Sequence, residues 1–334
     1  MQGLTVRSMF SLGTPRSWAS VAEGRAMHEQ VARFVYYGGV HLLYASVVCV
    51  AAWVLTSIPR GSATVKHWIW FATSFNFIVP VGAILDRLFA SHLSWARPLG
   101  FIGGLGVQVA QSTAVASTVA AVWMVGASLM TARLCARLRN ERRHLRAIHG
   151  AGARGSFVAH GVTVRIDAGS EAPAVDGLLR PYISLPRGIE RLLSGAELDA
   201  VLIHEATHAR RRDNLIRLVH EAGLCALWFH PLMWIAGSRL AMYRELSCDE
   251  PVIRSAQGAE LMSALAKLAN PGRAYLLQAG ASSLLRHRLA RLAAAPRPGG
   301  RGISAALSAG FGAALVGGVW GTVAHTACCF LVRR

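Results

Sequence analysis

Apolar residues gather in four long runs along this chain, and the charged residues collect between them. The first run, from about Phe34 to Ile58, carries no formal charge and is long enough to cross a bilayer, which takes about 20 helical residues. A second covers roughly Trp68 to Leu85, with Asn76 and Pro80 inside it. The third lies within Leu99 to Met130, too long for one span; Ala114 to Met130 is its spanning part, preceded by a glycine-rich segment. A fourth runs from about Ile303 to Ala324. Signal peptides have short apolar cores, so the first run reads as a retained helix. Core helices of a soluble protein account poorly for four such runs.

Between the third and fourth runs the pattern becomes mixed. His149 to Gly155 reads as a flexible, glycine-bearing link. Val162 to Ile166 and Tyr182 to Leu185 predict strands, the second stopped by Pro186, with mostly loop from Asp167 to Pro181. Ser194-Gly195-Ala196-Glu197 is a capping box, in which serine and glutamate satisfy the free amides at a helix start. The helix it opens runs through Leu198, Val201 and Leu202. Further helices are expected over about Leu215 to Trp228, from Pro231 to about Val252, over Leu261 to Leu268, and over a basic amphipathic stretch, Leu276 to Leu292. Ala295 to Gly302 reads as a linker. The expected class is a mainly α membrane protein: an arm (1–33), three transmembrane helices (34–133), an α+β domain (134–302), and a fourth transmembrane helix with a short tail (303–334).

Composition agrees, with 53% hydrophobic and 16% charged residues. The net charge of +18 raises the possibility of nucleic acid, but the arginines sit where membrane orientation wants them. Arg133, Arg137, Arg139, Arg142, Arg143 and Arg146 follow the third run, and Arg286, Arg288, Arg291, Arg297 and Arg301 precede the fourth. Basic residues mark the cytoplasmic side, which places 134–302 in the cytoplasm and both termini outside. Arg60 and Lys66, between the first two runs, agree; Arg7, Arg16 and Arg25 in the arm pull weakly the other way. The expected setting is a bacterial cell membrane, with the bilayer as partner and no direct nucleic acid. The six cysteines form no paired motif and are expected to be reduced, neither ligands nor nucleophiles.

The candidate chemistry lies on the capped helix. His204-Glu205-Ala206-Thr207-His208 matches H-E-x-x-H. Four residues make about one helical turn, so both imidazoles project from one face and can share one zinc ion. Glu205 is placed to act as general base on the water such a site activates. Zinc needs a third protein ligand, and Glu245 on the helix after Pro231 is the candidate; the alternative is a solvated carboxylate paired with Arg244 or Arg239. Asp249, one turn on, can fix the tautomer of a ligand histidine. His230 is a candidate oxyanion donor, with a structural hydrogen-bonding role beside a helix start as the alternative. His220 and His160 have weaker claims, Asp86 reads as an interfacial partner of Arg87, and Arg211 and Asp213 read as structural residues at a helix end. The strand around Tyr182 to Leu185 can align an extended substrate by main-chain pairing.

These residues occur in an order that resembles the BlaR/MecR family of membrane zinc metallopeptidases (peptidase family M fifty-six). The resemblance rests on His204-Glu205-x-x-His208, Arg211 and Asp213, Phe229-His230-Pro231-x-x-Trp234, and Glu245-x-x-Cys248-Asp249-Glu250, with Arg180-Pro181-Tyr182-Ile183-Ser184-Leu185-Pro186 upstream. It implies a zincin-like (gluzincin) domain, one Zn2+ held by His204, His208 and Glu245, and Glu205 as general base. It further implies a signalling endopeptidase whose substrate is a cytoplasmic transcriptional repressor, the chain itself, or both. A self-cleavage point is expected in the arginine-rich segment before the fourth run. Well-known members carry a penicillin-binding sensor domain after the fourth helix; the sequence to Arg334 holds no S-x-x-K segment there, so covalent β-lactam sensing is not expected. The alternatives are a quality-control membrane protease of the HtpX kind and a non-catalytic signalling scaffold.

Overall fold

The computed structural model describes residues 38–39, 41–58, 61–79, 113–150, 155–167, 170–268, 279–293 and 303–313. The sequence expectations for the N-terminal arm, Asp86, the linker at 295–302 and Cys328–Cys329 lie outside these residues. The chain divides into two compact units. The described part of the first consists of helix-end turns, up to Tyr44 and over 113–122. The second, Ala45–Val81 with Trp123–Trp320, contains the sheet and the candidate site.

Helices occur in all four apolar runs: α1 (His41–Ser57), α2 (Ala63–Ile78), α3 (Thr113–Gly150) and, near the C-terminus, a helix over Ile303–Ala313. Among the described residues, only the Ser117–Arg143 part of α3 is by itself long and apolar enough to cross a membrane. Its apolar side chains, Val119, Val122, Met124, Val125 and Leu129 among them, are exposed. α2 differs from a plain apolar rod, because Lys66, His67, Thr73, Ser74 and Asn76 are buried on it. The Lys66 ammonium donates to the carbonyls of Thr56 and Ile58, satisfying acceptors that the end of α1 leaves open.

The mixed part begins with β1 (Ser156–Ala159) and β2 (Val162–Asp167), an antiparallel hairpin turning on His160 and Gly161. Both turn residues have positive φ (48° and 74°), as a two-residue turn matched to strand twist requires. β3 (Ala174–Asp176) and β4 (Tyr182–Pro186) complete a four-stranded sheet of order β1-β2-β4-β3. β4 runs parallel to β2 and antiparallel to β3. The sequence pattern gave two of these strands; β1 and the three-residue β3 are too short for a period-2 signal.

After the short α4 (Ile189–Leu192), the predicted capping box forms in full. The Ser194 hydroxyl accepts from the Glu197 amide, and the Glu197 carboxylate accepts from the Ser194 amide. It opens α5 (Gly195–Arg211), which is followed by α6 (Asp213–Ala226), α7 (Pro231–Arg254), α8 (Gly258–Leu268) and α9 (Ala279–Ala293). Ala200, Val201, Leu202, Ala206 and Ala209 of α5 pack with Val164, Ile183 and Leu185 of the sheet and with Leu261 and Ala264 of α8. The small residues let α5 lie close to the sheet while its histidines face α7 and α9. α2 lies antiparallel along α7, with Ala63 beside Glu250 at one end and Phe77 beside His230 at the other.

Candidate metal centre

α5 places His204 and His208 one turn apart, and α7 brings Glu245 to them. The Nε2 atoms of the two histidines lie 3.2 Å apart, and Glu245 Oε2 lies 3.7 Å from the first and 3.8 Å from the second. Zinc held at about 2.0–2.1 Å by nitrogen and oxygen needs tetrahedral ligand atoms roughly 3.3–3.5 Å apart. The three observed separations fall close to that, and the point equidistant from all three atoms lies about 2.1 Å from each. The other carboxylate oxygen, Oε1, accepts from Arg244 at 3.1 Å, the arginine pairing that the sequence analysis raised for Glu245.

The far sides of the imidazoles decide what the near sides can do. His208 Nδ1 lies 2.6 Å from Asp213 Oδ2, and His204 Nδ1 lies 3.0 Å from Asp249 Oδ1. A carboxylate there holds the ring proton on Nδ1 and leaves a lone pair on Nε2. With the ring protons on Nδ1, the two Nε2 atoms, 3.2 Å apart, and the Glu245 oxygen converge as three donors able to hold one cation. The donor set, two imidazole nitrogens and one carboxylate, suits zinc.

An arginine backs each of these carboxylates. Arg211 donates from Nε to Asp213 Oδ1 at 2.7 Å and from Nη2 to Oδ2 at 2.5 Å. Arg288 of α9 makes the same fork on Asp249, at 3.0 and 2.8 Å. Burial works to raise the Asp213 carboxyl, but hydrogen bonds from His208 and Arg211 outweigh it and hold the group at about 2. Asp249 is likewise held below the usual carboxylate range against its burial, by His204 and Arg288. Glu245 is held well below it, against burial, by the two histidines. Three ionised carboxylates therefore surround the imidazoles, each balanced by an arginine, so the centre recognises a cation through its converging donor atoms.

Glu205 follows His204, is half-buried, and makes no hydrogen bond or ion pair among the described residues. Its negative charge acts on the Arg288 guanidinium, which backs Asp249.

The structure brings His204, His208, Glu245 and Asp249 together as the sequence analysis expected. It corrects the reading of Arg211 and Asp213, which support His208 rather than merely ending a helix; sequence spacing missed this because α5 stops at Arg212 and the chain doubles back. Arg212 carries φ +55° between the two helices, and that turn swings Asp213 onto the histidine. Arg288 was read only as an orientation charge; its partner is 39 positions away, beyond any local signal. His230 starts α7, at the opposite end from Glu245 and about 22 Å from it along the helix, so it lies far from the chemistry. His160 sits in the β1–β2 turn, paired with Asp199. The strand expected to align substrate, β4, has both main-chain sides taken by β2 and β3. The sheet edge nearest α5 is β3, whose Val175 carbonyl accepts from Asn214, beside Asp213.

Comparison with known proteins gives a consistent picture. Residues 39–292 match the family model described as BlaR1 peptidase M56. The regulatory protein BlaR1 of Bacillus licheniformis is 26% identical over 245 residues, covering 65% of this chain and 38% of that protein. The methicillin resistance mecR1 protein of Staphylococcus aureus is 22% identical over 98 residues, 29% of this chain and 17% of its own. The chain thus spans well under half the length of these relatives.

Proposed function

The chain belongs to the BlaR1 peptidase M56 family, and from that premise we propose that it is a multi-pass membrane zinc endopeptidase acting in signal transduction. His204, His208 and Glu245 hold one zinc ion, and Asp249 and Asp213 fix the two histidines. The observation that carries this reading is the convergence of two Nε2 atoms and a carboxylate oxygen while both Nδ1 atoms face carboxylates.

When bound, zinc supplies Lewis-acid chemistry, polarising a peptide carbonyl and making water more acidic. The rest is done by the chain. Glu205, next to His204 in the chain, takes a proton from the attacking water on its carboxylate and passes it to the leaving amine. Asp213 and Asp249 keep the imidazole protons on Nδ1.

The substrate is a cytoplasmic protein: a transcriptional repressor, the chain's own arginine-rich segment before the last apolar run, or both. The names of the relatives, a regulatory protein and a resistance protein, support a signalling role. Four spanning helices with the peptidase part facing the cytoplasm fit the arginine clusters. The loop at Gly61–Ser62 supports the same sidedness, since Ser62 and Thr64 donate to Glu250 of α7. A Glu205→Gln variant tests the proposal: it should keep its zinc and lose peptide hydrolysis, including conversion of its own chain. Unchanged hydrolysis would remove Glu205 from the mechanism.

A further inference from the structure

We infer that the hairpin joining α6 to α7 is a re-entrant membrane segment, its tip seated among lipid acyl chains in one leaflet, although it lies within the part otherwise assigned to the cytoplasm. The inference rests on the membrane reading of the apolar runs and adds to it an element that those runs do not contain. From Ala222 to Ser238, 17 residues carry no formal charge, and they include Trp228, Phe229 and Trp234. Phe229 and Trp234 are 48% and 43% exposed, at the tip of a helical pair in which Gly223, Leu224, Met233 and Ala236 are buried. Such aromatics in water would be a costly surface; against acyl chains they are at home.

Depth is set by what the tip touches. His230 Nε2 lies 3.3 Å from the Ser46 hydroxyl in α1, and its ring packs on Phe77 near the far end of α2. The start of α2 is fixed at the other end of α7 by Glu250, so the Phe77 level lies about 21 Å along the helix from Ala63. On the third side, Gly126 of α3 leaves the space that the Trp228 ring fills, where any Cβ would collide with it. Gly223 does the same for Ile78 of α2. Ser46, Phe77, Ile78 and Gly126 all belong to the apolar runs, so the tip shares their depth.

The turn also meets the requirement that lipid imposes and water does not, that free main-chain acceptors find donors within the protein. The Ala226 carbonyl accepts from the Trp123 indole at 2.9 Å and the Trp228 carbonyl from the Trp234 indole at 2.8 Å. The Leu227 carbonyl accepts from the His230 amide and the His230 carbonyl from the Met233 amide. Charges return where a one-leaflet insertion predicts: Glu221 pairs with Arg137 and Arg217 on one arm, and Arg239 lies over the Trp53 ring on the other.

The test is depth-dependent quenching in the full chain reconstituted in phospholipid vesicles. A small environment-sensitive fluorescent amino acid is placed singly at Phe229, at Val125 on the exposed face of α3, or at Glu190, exposed on α4. Doxyl-labelled lipid should remove most of the emission at positions 229 and 125, and aqueous iodide most of it at position 190. Lipid quenching at 125 with iodide quenching at 229 would overturn the hairpin while leaving the membrane reading intact. Iodide quenching at 125 would overturn both.

Discussion

The two histidines of the centre are supported by the same chemistry drawn from very different stretches of chain. Behind His208, the carboxylate and guanidinium belong to Asp213 and Arg211, within five positions of the histidine at one helix junction. Behind His204, Asp249 comes from α7 and Arg288 from α9, the latter 84 positions away. The first support forms as soon as α5 and α6 form. The second exists only when three helices have docked, and such long-range closure carries a chain-entropy cost that the local one avoids. One histidine is therefore oriented by local structure, and the other reports where α9 sits.

The largest effect that would sharpen this contrast is expected at Asp213. Asp213→Ala should weaken zinc binding about 10–100-fold in a competition titration. It should also lower stability by about 3 kcal/mol, because Arg211 is left buried without its carboxylate. Asp249→Ala should weaken zinc binding comparably but destabilise less, since Arg288 keeps Glu245 within 3.5 Å. Equal melting temperatures for the two variants would break the distinction. Next in size, Arg211→Gln should reduce zinc affinity more than Arg288→Gln, both by no more than about tenfold. Arg211 also ties Ser247 and the Arg244 carbonyl, whereas Arg288 brings positive charge close to the ligating oxygen of Glu245, so its removal has partly opposing effects.

Sequence reading reaches the features that one element carries. H-E-x-x-H on a capped helix, and Glu245 with Asp249 one turn apart, are periodicities of single helices. It failed where a turn or a distant helix supplies a partner. The doubling back at Arg212 that turns Asp213 onto His208 leaves no pattern, and Arg288 is indistinguishable in sequence from Arg286 or Arg291. In sequence the α6–α7 hairpin looks like two helices of the cytoplasmic part, since neither arm reaches the length of a span; the contacts of its tip with Ser46, Phe77 and Gly126 appear only in the fold. In α2, the buried Lys66 and His67 show a helix that serves the α7 interface, which hydropathy alone does not register.

The smallest predicted effects concern the frame that starts α5. Ser194→Ala should cost about 1 kcal/mol in a denaturant melt while leaving zinc binding intact. The Glu197 carboxyl is held down at about 2 by Lys267, Ser263 and the Ser194 amide, against 4.5 for an unperturbed glutamate. Its folded value is the lower one, so its contribution is fully present above about pH 4.5 and is lost as pH falls towards 2. Glu197→Gln should flatten the acid side of a stability profile in that window. An unchanged slope between pH 5 and 2 would remove the box from the account of acid lability.

The most direct measurement is zinc content per chain in detergent-purified protein, wild type beside Glu245→Ala. The account predicts about one zinc per chain in the wild type, lost or much weakened in the variant while the protein stays folded. A folded wild type that takes up no zinc when metal is supplied, or a variant that keeps it at full affinity, would contradict the three-ligand centre.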